Sequence, residues 1–219
     1  KCIGKNTKVY DLDGKCVLPG LIESHMHAED TGWMNVSLNV FWLPKETILE
    51  KVKKAAEEAK PGEWITGSGW MNTIWEGNSD FPTKEELDAV APDNPVYLGR
   101  ACGHMCWVNS KAIELAGITN DTPNPQGGYI YRDKNGEATG VFTDTAMYPI
   151  SGIIPAKTDE QIRRSYEECA AMLPSYGFTS IMDAGTSPKN IELYKQLIKE
   201  GVWKTRVDAE VSVNSMESE

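Results

Sequence analysis

Apolar positions fall on one helical face between Glu46 and Lys60, where Ile48, Leu49, Val52, Ala55, Ala56 and Ala59 recur at helical spacing. Pro61-Gly62 then stops the pattern, so a helix is predicted over 46–60. Other stretches carry different periods. Thr7 to Gly20 alternates around Asp13-Gly14 and predicts a short hairpin. Leu18 to Ser24 is a brief, mostly apolar run bounded by Pro19-Gly20, which suits a buried strand leading into His25-Met26-His27. Tyr129 to Arg132 and Gly140 to Phe142 flank an Asn135-Gly136 turn and predict a second hairpin.

Helix boundaries are written in capping residues. Thr83 with Glu86, and Thr158 with Gln161, form the spacing in which cap and third residue satisfy each other's backbone N–H. Asn109 predicts a cap for a helix through Ile113 and Leu115, with Gly117 as its stop. From Thr158 onward helix and strand alternate. A helix to about Leu173 is followed by a strand from Phe178 to Gly185, a helix opened by Ser187-Pro188, and a strand candidate from Trp203 to Val213. Such alternation predicts an α/β fold with a parallel sheet or barrel. The expected organisation is split, with a first β/α unit over 18–61, an inserted α+β segment over 62–150, and further β/α units over 151–219.

Composition narrows the function classes. A net charge of −10 gives no support to nucleic-acid binding, and no run approaches the roughly 18 apolar residues of a membrane helix. Neither nucleic acid nor membrane is therefore an expected partner. Five cysteines (Cys2, Cys16, Cys102, Cys106, Cys169) are odd in number and irregular in spacing, which suits reduced thiols in a cytoplasmic protein. The chain opens at Lys1 without an initiator Met.

Histidine is scarce, 3 in 219 residues, yet two stand at His25-x-His27. On a strand, side chains at i and i+2 share a face, so both imidazoles converge on one point, as ligands of zinc or a similar metal do. Spacing alone leaves open two unrelated histidines. Cys102-x-His104-x-Cys106 offers a second ligand-like set, although structural zinc sites usually draw ligands from two segments.

Context decides between these readings. Val17 to His27 resembles the signature that opens the barrel in the amidohydrolase superfamily. Further matching stretches include Gly69-Trp70, Phe81-Pro82-Thr83, Pro95-Val96-Tyr97-Leu98, Trp107-Val108-Asn109-Ser110, Thr139-Gly140-Val141 and Tyr176 to Ser180. In this order they resemble amidohydrolase family 3, the YtcJ-like proteins. The resemblance implies a (β/α)8 barrel, of which this chain would supply about three strands around the inserted α+β subdomain. It also implies a small β-sandwich, with residues 1–17 at its edge. The implied activity is hydrolysis of carbon–nitrogen bonds in non-peptide amides or N-formyl groups by a metal-activated water. His25 and His27 would be ligands of a divalent metal, zinc first. The family's later ligands, a Lys or Glu, two histidines and an Asp, have no counterpart here, so the chain is expected to be a fragment truncated at both ends and inactive alone.

The resemblance further places His104, Trp107 and Asn109 at the substrate mouth; a polar cluster capping the Asn109 helix is the plain alternative. Trp75, among dense tryptophans at 33, 42, 64 and 70, suggests an aromatic substrate wall or the core of the insertion. Asp183, ending a strand, could orient a ligand histidine or cap the next helix. No catalytic acid or base is identifiable. A small amide is the expected substrate, and open strand edges give the piece a route to self-association. The rival reading is a ligand-binding or regulatory module using the aromatic insertion.

Overall fold

The computed structural model describes residues 3–77 and 80–212. In chain order its main elements are β1 (Leu21–Met26), α1 (Ala28–Val36), β2 (Leu38–Asn39), α2 (Lys45–Glu58), β3 (Ile65–Trp70), α3 (Lys84–Asp88), β4 (Val96–Arg100) and β5 (Met105–Val108). They continue with α4 (Ser110–Leu115), β6 (Gly128–Arg132), β7 (Ala138–Asp144), α5 (Tyr148–Ser151), α6 (Asp159–Ser175), β8 (Phe178–Thr186), α7 (Pro188–Lys199) and β9 (Arg206–Val211). None of these helices is long and apolar enough to cross a membrane. The fold is mixed α/β, and its elements divide into two compact units, residues 1–27 with 170–219, and residues 28–169.

In the first unit β1, β8 and β9 make a parallel sheet in that order. Parallel neighbours need a crossover, and α7 provides it between β8 and β9. Ser187 caps α7 by accepting the Asn190 N–H at 3.1 Å, and Pro188 follows where its missing donor costs nothing. The helix buries Tyr194 and Leu197, and the Tyr194 ring meets the Trp203 indole edge-on at 4.7 Å. Gly20 explains the Pro-Gly entry to β1: a Cβ there would lie 2.1 Å from the Thr179 side chain, so only glycine lets the chain run in beside β8.

In the second unit β2, β3 and β4 are parallel, and β5, β7 and β6 extend the sheet antiparallel. One apolar cluster joins Ile48 and Val52 of α2 to Val40, Leu98 and the Trp70, Trp75 and Trp107 rings, which lie 6.2–6.4 Å apart. A second cluster gathers Cys106, Val108, Ile130, Phe142 and Ile150. This packing draws the predicted first β/α unit apart. Residues 28–61 group with the inserted segment because β2 pairs with β3 and α2 buries its apolar face there, while residues 1–27 group with the later strands.

Four sequence expectations change. The Asp13-Gly14 turn forms, with both residues at positive φ and Lys15 N–H on Leu12 O, but the flanking residues 3–20 build no strand ladder and are exposed. Strand β1 lies at the edge of its sheet, not in the interior, with Leu21 and Ile22 more than half exposed. A short apolar run shows that a strand pairs; it does not show how many neighbours cover it. The helix predicted to end before Pro174 continues through it to Ser175, and the strand expected from Trp203 begins at Arg206. Val213 and Cys2 lie outside the described residues.

Candidate metal centre

Alternation along β1 sends His25 to the same side as His27, one residue past the strand's end, and the two rings stand 5.4 Å apart at 84°. Two imidazoles sharing one zinc at about 2.1 Å per nitrogen, in tetrahedral geometry, would have ring centres about 5 Å apart. The pair is therefore spaced as two ligands of one ion. Both side chains are exposed, and the His25 backbone N–H bonds the Glu23 carboxylate at 3.2 Å.

The neighbouring strand fixes the second ring. His27 Nδ1 lies 2.8 Å from the backbone oxygen of Ala184 in β8. A carbonyl only accepts, so Nδ1 carries the proton and Nε2 keeps its lone pair for a ligand. Because β1 and β8 are parallel and Met26 pairs with Asp183, this contact sits where both strands end. Ala184 acts through its backbone, and no side-chain pattern in the sequence could have marked it. Two residues on, Thr186 Oγ1 is buried without a hydrogen-bond partner among the described residues, a polar atom left over at the end of β8. Asp183 is 2% exposed and accepts the Tyr194 hydroxyl at 2.8 Å, which anchors α7 to the sheet.

Among the described residues no group of three or more His, Cys, Asp or Glu side chains is placed to hold a metal ion. Among the described residues the histidine pair thus has no third candidate ligand beside it. The same finding removes the Cys102, His104, Cys106 alternative, and the reason is visible. Cys102 sits exposed on the β4–β5 turn, whereas Cys106 points its thiol into the core beside Tyr97. Partial burial works against ionising Cys102, but bonds from the His104 backbone N–H and the Arg100 guanidinium hold its pKa below the ordinary thiol value.

The substrate candidates separate by exposure. His104 is open to solvent, and its Nδ1 lies 3.0 Å from the Asp144 carboxylate. Asp144 returns its own N–H to the His104 carbonyl and adopts a positive φ of 47°. Trp107 is wholly buried and donates its indole N–H to Thr83 O. Asn109 is wholly buried as well. Its side chain caps α4, accepts the Val96 N–H and donates to Ala91 O and Asn94 O. Trp75 is 8% exposed, stacked near Trp70 and bonded to Leu43 O. Trp107 and Asn109 spend their polar atoms and surface on the fold itself, and Trp75 spends its indole N–H there while lining a hollow with Pro44, Lys45 and Ile74.

Comparison with known proteins places the chain. It matches the amidohydrolase family, family 3, over residues 8–217. It is 35% identical over 184 residues to the protein LONG AFTER FAR-RED 3 of Arabidopsis thaliana, covering 84% of this chain and 31% of that protein. It is 32% identical over 202 residues to the N-substituted formamide deformylase of Arthrobacter pascens, covering 87% of this chain and 36% of the relative. The structure is similar to that of an uncharacterized metal-dependent hydrolase from Pyrococcus furiosus, with a TM-score of 0.60 and 25% identity over 91% of this chain and 39% of the other. The chain therefore spans between 31% and 39% of the length of these relatives. With the match running nearly end to end, the chain belongs to amidohydrolase family 3.

Proposed function

We propose that His25 and His27 supply two ligands of a divalent metal site, zinc first, in a hydrolase that cleaves carbon–nitrogen bonds of non-peptide amides such as N-formyl amines. The observation that carries this is the Ala184 carbonyl on His27 Nδ1, which sets the ring's tautomer and rotation before any metal arrives. A divalent cation held there would bring the pKa of a bound water toward about 7 and polarise the scissile carbonyl. In this reading β1, β8 and β9 are three strands of a (β/α)8 barrel, whose chemistry sits at the C-terminal ends of its strands. His104, the exposed histidine of the insertion, is the side chain we assign to substrate contact, its imidazole oriented by Asp144.

The remaining ligands are not among the described residues, so this chain alone is expected to bind zinc weakly and to turn over nothing. Zinc titration against a chromophoric chelator, with His25→Ala, His27→Ala and the double variant, tests the assignment. Each single substitution should weaken binding at least tenfold, the double should abolish it, and an N-substituted formamide should persist unhydrolysed. Zinc affinity that survives the double substitution, or turnover by the chain alone, would overturn it.

A further inference from the structure

Within the 28–169 unit a cavity of about 570 Å³ opens among α1, β3, β4 and the 151–161 connection. Its size is that of a pocket for a drug-sized molecule. None of its lining residues takes part in the proposed hydrolysis. Three aromatic side chains from three elements wall it: Trp33 of α1, Trp64 just before β3, and Tyr97 of β4, with Ile154 and Pro155 adding apolar surface. A neighbouring hollow of about 330 Å³ shares Trp33, Glu63 and Trp64, so the space is elongated.

Its polar groups define the occupant. The charged residues lining it are Glu63 and Lys157, and both are already engaged. The Lys157 ammonium bonds Glu29 at 2.8 Å, lies 3.5 Å from Asp30 and sits over the Trp33 ring at 4.8 Å. The Glu63 carboxylate accepts the Lys60 N–H. The Lys157 charge is met by two carboxylates, so no cation is left over to hold an anion, and the exposed Glu63 carboxylate keeps its charge in water. Hydrogen-bond donors, in contrast, are left over. Every buried tryptophan (Trp70, Trp75, Trp107, Trp203) gives its indole N–H to a carbonyl. The half-buried Trp33 and Trp64 give theirs to nothing among the described residues, and neither the Thr66 nor the Ser68 hydroxyl has a partner there.

We propose that this cavity binds an uncharged, planar aromatic molecule bearing carbonyl or ether oxygens, its rings between the indoles and its oxygens accepting from their N–H groups. Coumarin, a neutral bicyclic lactone, is the probe. Titrated into the full chain, it should quench tryptophan fluorescence saturably, with a Kd on the order of 10⁻⁴ M, confirmed by calorimetry. Trp33→Phe and Trp64→Phe keep an aromatic ring and lose the donor, and each should weaken binding about three- to tenfold. Trp42→Phe, which does not line the cavity, should change nothing, and near-ultraviolet circular dichroism should show every variant folded. The anion 2-naphthoate and the cation 2-naphthylmethylamine should bind at least tenfold more weakly than coumarin. Absence of saturable binding up to the solubility of coumarin overturns the site; wild-type affinity in both Phe variants, or equal binding of either ion, overturns the assigned chemistry. None of these outcomes bears on zinc binding at His25 and His27.

Discussion

Cys106 of β5 and Tyr97 of β4 meet on neighbouring strands of the six-stranded sheet, and burial governs both. It pushes the Cys106 thiol from an ordinary 9.0 up to about 12, and the Tyr97 hydroxyl upward as well. An acid whose pKa is raised in the fold stays neutral there while the unfolded chain ionises, so it costs stability only above the unfolded value. The fold should therefore be insensitive to this pair below about pH 9 and lose stability steadily between about pH 9 and 12. Urea denaturation at pH 8 and pH 10.5 checks the slope, and Cys106→Ala should flatten it. Legibility at this scale was uneven. Asn109 showed its capping role in sequence, because a cap is a local pattern. Its bonds to Ala91, Asn94 and Val96 join segments up to 18 residues away, which spacing along the chain does not encode. The shared face of His25 and His27 was legible because strand alternation is itself local; the Ala184 carbonyl that meets His27 was not.

Helices were the most legible elements, since caps and stops are short. The Thr83–Glu86 and Thr158–Gln161 pairs open α3 and α6 as their spacing predicts. The hairpin of β6 and β7 turns at Asn135-Gly136, with Gly136 at a φ of 84°. What these patterns could not show is how elements meet. Gly32 in α1 reads as a weak helix residue, but α1 crosses α6 there so closely that a Cβ would fall 1.7 Å from Ser165 O. Gly32→Ala would gain up to about 1 kcal/mol from helix propensity in an exposed helix. Here it should instead cost about 2–3 kcal/mol by forcing two backbones apart. The sign of the change in urea denaturation decides whether contact or propensity governs the position. Edge or centre is equally non-local, which is why β1 read as buried.

At the scale of the molecule, an apolar and exposed stretch runs through Ile3, Val9, Tyr10, Val17, Leu18, Leu21 and Ile22 into β1, a strand with one paired side. Such an edge is a template for further pairing, and we propose that the isolated chain self-associates through it. Light scattering should show a mass that rises with concentration, and Ile22→Lys should suppress the rise; a constant monomer mass would sink the idea. The two-unit division was hidden from sequence for a related reason: His27 and Ala28 are adjacent, yet they belong to different units. The bond between His27 and Ala184 spans 157 residues, and the whole 28–169 unit lies inside that span. At about 5–20 residues per second, a ribosome would make the histidines roughly 8–30 s before the strand that orients them. The intervening unit can close its own core in that interval, whereas β1 must wait. Birth order thus makes the histidine pair rigid only after the whole 28–169 unit has been made, and a metal meeting the nascent chain before then would find two mobile imidazoles in place of a site.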